Sequence, residues 1–342
     1  MAFKDIIGQE HAVNILKKAL GQDRLAHSLL FSGPEGTGKR LTALALAMEL
    51  NCAAPEGGEA CGSCPDCRQI SKSVHPDVSI ISPEGKALEI RIDQVRSIRA
   101  DMHLKPVRGG YRVFILDKAE RLNSESSNAL LKILEEPPEQ SLIILLTAEP
   151  YSLLPTITSR CQAVKFQRLS VEDAEKVLGN NPDVPREKTR LLAKLSGGSP
   201  GKAVSMLRNG LDRREEILDW VFPEEGAAPR LDVLEILKAG EQKAGLSVKD
   251  TARRRENLLI FFEILLGWYR DALMSSAGGD DLVNEDFSER IKKYARTIKA
   301  GGAAKAVKTL LAAQEQVGLF ANPRLVFEVA MVDIAKAGRR QI

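Results

Sequence analysis

Gly33-Pro34-Glu35-Gly36-Thr37-Gly38-Lys39 has the residue spacing of a phosphate-binding loop. Its context fits, because residues 28–31 predict a buried strand and residues 41–50 predict the helix that follows. Backbone N–H groups of such a turn and of the helix N-terminus point toward a bound anion. The pattern therefore predicts a phosphate site lined by Gly33, Gly36, Thr37, Gly38 and Lys39. The alternative is a glycine-rich turn that matches by chance.

The residue after the loop lysine departs from the pattern of nucleotide hydrolysis. Hydrolysing loops carry Ser or Thr at this position, whose hydroxyl binds Mg²⁺, whereas this chain carries Arg40. The loop therefore predicts phosphate binding without predicting hydrolysis. Passive binding of ATP or ADP stays open, since a backbone cradle for phosphate does not require turnover.

Composition indicates a globular chain of two or three domains, with 342 residues of which 44% are hydrophobic. Lys and Arg total 49 against 46 Asp and Glu, so no overall charge favours nucleic acid or a membrane as partner. The N-terminus has no apolar signal core, and the densest apolar run, residues 258–266, is too short to span a bilayer. We therefore expect a cytoplasmic protein with no membrane contact.

Four of the five cysteines lie in one short segment with the spacing C-x8-C-x2-C-x2-C: Cys52, Cys61, Cys64 and Cys67. A C-x2-C turn aims both sulfurs the same way, so the four thiolates can converge on one tetrahedral Zn²⁺. The surrounding glycines and proline supply turns but little core, which favours a structural metal. A disulfide pair or a redox C-x2-C motif are the alternatives.

Apolar strands alternate with helical patterns through the first half of the chain. Strands are predicted at residues 78–81, 112–116 and 142–147, and helices at residues 92–102 and 124–134. This alternation is typical of a parallel sheet with crossover helices, so we expect a doubly wound α/β domain over residues 1–168. Ligands lie at the carboxyl ends of such strands, which favours Asp117 and Thr147 as binding residues.

The strand that ends at Asp117 carries a second departure from hydrolysis. An ATPase of this architecture places a metal-associated carboxylate there and a water-activating Glu next to it, but this chain has Lys118. Glu120, two residues further on, is expected to point elsewhere. The alternative role for Asp117 is a helix cap after the strand.

Two later motifs carry a family resemblance. Residues 127–138, Ser-Asn-Ala-Leu-Leu-Lys-Ile-Leu-Glu-Glu-Pro-Pro, and residues 154–161, which end in Ser159-Arg160-Cys161, resemble the clamp-loader branch of the AAA+ ATPases. The cysteine segment after the first helix resembles the zinc module of bacterial clamp loaders. The resemblance implies motor (gamma/tau) and delta subunits as partners in a pentameric ring, and the sliding clamp and primed DNA as its targets.

The same resemblance gives Arg160 a role. It implies an arginine finger that reaches the γ-phosphate bound by a neighbouring subunit, where a planar, permanent charge stabilises the transferred phosphoryl group. The alternative is an ion pair between Arg160 and a local carboxylate on the surface. The fifth cysteine, Cys161, is expected to pack in the core.

Helical patterns take over after residue 168. Residues 169–208 predict a small helical lid. The resemblance implies that Lys202 takes the position of the nucleotide-sensing arginine of active motors; the alternative is a solvated lysine. Residues 209–342 predict an all-helical domain with long helices at residues 251–273 and 302–319, which the resemblance identifies as a collar. The apolar residues near 261–268 are either core or subunit contact. The function that the resemblance implies is that of a clamp-loader subunit. The two alternative functions are a self-sufficient ATPase and a module that binds DNA through the cysteine segment.

Overall fold

The computed structural model describes residues 2–57, 59–85, 88–108, 110–209, 211–222, 239–319 and 321–338. The chain forms two compact units, Met1–Val177 with Gly198–Gly201 and Leu178–Gly197 with Lys202–Ile342. The division into parts at residues 168 and 208 stays a prediction. No helix among the described residues is long and apolar enough to cross a membrane.

The first unit is built on a five-stranded parallel sheet with the strand order β2-β3-β4-β1-β5. Adjacent strands are in register, so that Ser32 at the end of β1 pairs with Thr147 at the end of β4. The predicted α/β fold with a parallel sheet is confirmed. The strands are β1 (Ser28–Ser32), β2 (Val78–Ile81), β3 (Arg112–Leu116), β4 (Ser141–Thr147) and β5 (Gln162–Lys165).

Helices cover both faces of this sheet. Successive side chains of a strand point to opposite faces, so Phe31 lies in one apolar cluster and Leu30 in the other. Both faces are buried, as an all-parallel sheet requires. The helices are α1 (Glu10–Gly21), α2 (Lys39–Asn51), α3 (Pro65–Ser71), α4 (Ile92–Met102), α5 (Ser124–Glu135), α6 (Pro155–Thr158) and α7 (Val171–Gly179).

The described residues of the second unit contain helices and no strand. The apolar residues near 261–268 belong to the core of this unit, because Phe262 and Trp268 are at most 1% exposed. Phe222 stacks on Trp268 with 4.5 Å between ring centroids. The helices are α8 (Thr189–Leu195), α9 (Pro200–Asn209), α10 (Arg214–Val221), α11 (Thr251–Ser276), α12 (Ser288–Gly318) and α13 (Pro323–Gly338).

The start of α12 corrects the sequence prediction. The helix begins at Ser288 and runs through the Gly301-Gly302 pair, where the pattern predicted its first turn. A glycine inside a helix costs about 1 kcal/mol relative to alanine. Burial on both sides of the pair offsets this cost, since Ile291 before it and Leu310 after it are both fully buried.

Candidate nucleotide and metal sites

The phosphate-binding loop leaves the sheet at the end of β1 and leads into α2. Gly33 N–H donates to the Thr147 carbonyl at 3.2 Å, which fixes the loop to the neighbouring strand. Gly36 and Gly38 adopt φ angles of 74° and 99°, the left-handed region that favours glycine. The predicted strand–loop–helix context of the loop is therefore present.

Gly33 admits no side chain, which gives a stability prediction. Its φ is 149°, and a Cβ there would lie 2.2 Å from the Phe166 carbonyl oxygen. We expect Gly33→Ala to lower the free energy of unfolding by about 2–4 kcal/mol through strain and overpacking. Chemical denaturation measures this change. Gly21→Ala is the matched control, since a Cβ there meets nothing within 4 Å; equal losses in both variants would contradict the argument.

The loop lysine is bonded to its own loop. Lys39 Nζ donates to the Gly33 and Pro34 carbonyls at 2.6 and 2.7 Å, and Thr37 Oγ1 donates to Pro34 at 2.8 Å. Burial lowers the pKa of Lys39, while nearby carboxylates, Glu120 most strongly, oppose that shift. A phosphate group would take over the two hydrogen bonds that Lys39 now donates to carbonyls.

Distant parts of the first unit support the loop from outside. The buried Gln9 side chain donates to the Thr37 carbonyl at 3.2 Å and to the Gln167 carbonyl at 2.7 Å. A turn beyond α8 contacts the loop tip, where Ser199 Oγ donates to the Glu35 carbonyl at 2.7 Å. Leu169 N–H donates to the Gly198 carbonyl at 2.9 Å and anchors that turn. No local motif in the sequence pointed to Gln9 or Ser199.

Both departures from the hydrolysis pattern form ion pairs. Arg40 NH1 lies 3.4 Å from Asp117 Oδ2, so the guanidinium contacts the carboxylate that would face Mg²⁺. Lys118 Nζ lies 3.1 Å from Glu35 Oε1 in the loop itself. The chain therefore places two positive side chains of its own where hydrolysing loops use a metal ion and a carboxylate.

Asp117 and Glu120 lie close to the loop lysine, and neither behaves as a helix cap. The short 3₁₀ helix after β3, Ala119–Arg121, has Lys118 as its cap residue. Lys118, which separates Asp117 from this helix, adopts the left-handed conformation with φ 56° and ψ 55°. Glu120 is the carboxylate that most strongly opposes the lowered pKa of Lys39, and the expectation that it points away from the water-activating position stays a prediction. Its Oε2 is buried without a hydrogen-bond partner among the described residues.

Thr147, the second strand-end candidate, is 1% exposed. Its hydroxyl accepts a hydrogen bond from Glu149 N–H at 2.9 Å. Its carbonyl accepts from Gly33, so Thr147 is joined to the loop through the backbone. A direct role of its hydroxyl toward nucleotide stays a prediction.

Arg160 lies just after α6 and is held by two local acceptors. Its guanidinium donates to the Thr156 carbonyl at 3.1 Å and to Glu135 Oε1 at 2.8 Å. The side chains of Arg160 and Glu135 are 38% and 51% exposed, so the pair is open to solvent. The local ion pair considered above is thus formed, and the finger role stays a prediction. Burial raises the pKa of the neighbouring Cys161 thiol to about 11, in keeping with a packed, unreactive residue.

Lys202 belongs to the second unit. Its ammonium lies 2.8 Å from Glu263 Oε2 on α11. This pairing gives Lys202 a structural partner inside its own unit. A role in nucleotide sensing stays a prediction.

The four clustered cysteines converge as the spacing predicts. The Sγ atoms of Cys52, Cys61, Cys64 and Cys67 all lie within 4.8 Å of one another, and none is in a disulfide. Cys52 Sγ lies 3.5 Å from Cys61 Sγ and 4.0 Å from Cys64 Sγ. Sulfurs about 2.3 Å from a tetrahedral Zn²⁺ lie about 3.8 Å from each other. The donor set therefore fits Zn²⁺ in number, type and spacing.

Backbone N–H groups lower the pKa values of two of these thiols. Hydrogen bonds from Ser63 and Cys64 N–H lower the pKa of Cys61 to about 6. Burial raises the pKa of Cys64, but the N–H of Cys67 and other donors outweigh it and the net shift is downward. Burial raises the pKa values of Cys52 and Cys67. The lowered pKa values of Cys61 and Cys64 favour the thiolate, the form in which cysteine binds metal, whereas the raised values of Cys52 and Cys67 oppose it.

The chain is similar in sequence to known subunits of DNA polymerase III. The sequence family described as DNA polymerase III, delta subunit, matches residues 8–170. The delta-prime subunit of DNA polymerase III from Bacillus subtilis is 29% identical over 90% of this chain and 91% of its own length. The tau subunit of that organism is 30% identical over 99% of this chain and 62% of its own length. The delta-prime subunit from Pseudomonas aeruginosa is 37% identical over 59% of this chain and 62% of its own length. The chain thus spans less than two thirds of two of these relatives.

Proposed function

Because this chain belongs to the DNA polymerase III clamp-loader family, we propose that it is the delta-prime subunit of the complex. In this role it does not hydrolyse ATP itself. It assembles with gamma/tau and delta subunits in a pentameric ring and supplies an arginine finger to a neighbour. The ring places the sliding clamp on primed DNA during replication.

The ion pair between Arg40 and Asp117 carries this proposal. A hydrolysing loop needs a hydroxyl and a carboxylate on Mg²⁺, and a base that orients water. Arg40 stands in place of the Ser or Thr that would supply the hydroxyl, and its guanidinium neutralises the Asp117 carboxylate at a distance of 3.4 Å. Lys118 replaces the base and pairs with Glu35. Both changes disfavour turnover in this pocket, whereas the exposed Arg160 is available to a partner's pocket.

The zinc site has a structural part in the proposal. Cys52 follows the last residue of α2, and Cys64 and Cys67 lie at the start of α3. When bound, Zn²⁺ would join these two helix ends through four thiolates and leave no coordination position open for catalysis. We therefore assign Zn²⁺ a structural role.

A gamma/tau-like ATPase is the second candidate. It is favoured by Glu120, a carboxylate close to Lys39 that could orient water in place of the missing residue at position 118. The tau relative also aligns with nearly the whole chain. The two candidates differ in what the isolated chain does with ATP and Mg²⁺.

Turnover of the isolated chain separates the candidates. We expect phosphate release from Mg²⁺-ATP at least about 10³-fold slower than that of isolated gamma/tau, since metal ligand and base are both replaced. Adding the chain to gamma/tau and delta subunits is expected to raise turnover of the mixture. Motor-like turnover by the chain alone would reject the delta-prime assignment, and its loss in Glu120→Gln would identify the base.

A further inference from the structure

We propose that the loop pocket binds the phosphates of a nucleoside diphosphate or triphosphate without a divalent cation, with Arg40 supplying the charge that Mg²⁺ supplies in hydrolysing loops. The inference builds on the proposed lack of hydrolysis but concerns binding, a separate property. The side chains of this pocket do not suit Mg²⁺, the ion that hydrolysing loops bind.

The residues around Asp117 do not fit Mg²⁺. This ion prefers six oxygen ligands, and hydrolysing loops offer it a Ser or Thr hydroxyl beside the Asp. Here Arg40 offers five N–H donors and no acceptor. Its NH1 lies 3.4 Å from Asp117 Oδ2, so a dication at this carboxylate would meet a permanent positive charge.

The charges of the pocket balance without a metal ion. Three cations and three carboxylates lie around the loop: Lys39, Arg40, Lys118, Glu35, Asp117 and Glu120. With Ser or Thr at position 40 and Glu at position 118, the same pocket would hold one cation and four carboxylates. Such a pocket would repel a polyphosphate unless a metal ion came with it. The two replacements remove that need.

The groups that would hold phosphate remain in place. α2 begins at Lys39, and its first N–H groups have no partner within the helix, so they face the loop as anion donors. Lys39 Nζ can exchange the Gly33 and Pro34 carbonyls for phosphate oxygens. Arg40, whose side chain is half exposed, pairs with phosphate oxygens in a bidentate way that a lysine cannot reproduce.

Calorimetric titration of the full chain with ADP and with ATP, in EDTA and in Mg²⁺, tests the inference. We expect wild-type dissociation constants that differ by less than about threefold between the two conditions. Arg40→Ser is expected to bind at least about tenfold more weakly in EDTA and to recover with Mg²⁺, because it restores a hydroxyl ligand. Arg96→Ser, on the exposed side of α4, is the matched control and should bind like wild type.

Three results would overturn the inference: wild-type binding that requires Mg²⁺, no saturable binding in either condition, or Arg40→Ser binding equal to wild type in EDTA. Melting curves of both variants verify that they are folded. A chain that binds no nucleotide would leave the arginine finger untouched, whereas a chain that hydrolyses ATP would reject the proposed function. The two proposals therefore fail separately.

Discussion

Arg160→Ala is expected to lower ATP turnover at the neighbouring subunit's site by about 10³-fold, the lower end of what arginine fingers contribute. The guanidinium is planar and always charged, so it can stabilise the charge that spreads over the transferred phosphoryl group. Its side chain is 38% exposed and held by a solvent-exposed carboxylate, so moving to a partner costs little. Assembly of the ring is expected to be unchanged.

The measurement is single-turnover phosphate release by a complex reconstituted with gamma/tau and delta subunits, since other sites in the ring mask one slow site at steady state. Glu135→Gln is the matched control. It removes the Arg160 ion pair but keeps the guanidinium, so stimulation should be equal to or above wild type. If both variants lose the same small stability and neither changes turnover, Arg160 has only the local structural role.

Removal of zinc is expected to have the largest effect on stability. Structural Zn²⁺ contributes about 10–16 kcal/mol in small zinc peptides. If a third of that stabilises this chain, Cys67→Ser lowers the melting temperature by about 7–20 °C, at roughly 2–4 °C per kcal/mol. Cys67 is fully buried, and its Sγ lies within 4.8 Å of the other three sulfurs.

Cys161→Ser is the control for this experiment. Cys161 is the remaining cysteine and packs against the other face of the sheet. Elemental analysis should find one zinc per chain in wild type and in Cys161→Ser, and none in Cys67→Ser. Equal zinc content in both variants, or a wild-type melting temperature that a chelator does not change, would show that the four sulfurs do not hold a stabilising metal.

The sequence predicted the parts of the structure that depend on local pattern. Continuous apolar runs bounded by turn residues predicted four of the five strands, and the glycine spacing predicted the loop between β1 and α2. The edge strand β5 carries no such run, since three of its four residues are exposed. The C-x2-C turns predicted the sulfur cluster, because a short turn fixes both sulfurs relative to each other. These features need only a few neighbouring residues to form.

The remaining features depend on contacts between residues far apart in the chain. The pairing of Arg40 with Asp117 spans 77 positions, and the support of the loop by Gln9 reaches Gln167 across 158 positions. In both pairs, no local sequence pattern around one residue identifies the residue that it contacts. Glu120 is only three positions after Asp117, but the left-handed conformation of Lys118 between them has no signal in the sequence.

The hydrogen bond from Leu169 to Gly198 has a consequence for how this chain can change in length. It holds both ends of residues 170–197 together, so these residues form a closed segment. Doubling the length of a flexible closed segment costs only about 0.6 kcal/mol. Insertions in the connection between α7 and α8 should therefore be tolerated. Gly198 itself cannot vary, since a Cβ there would lie 2.0 Å from the Leu169 carbonyl oxygen.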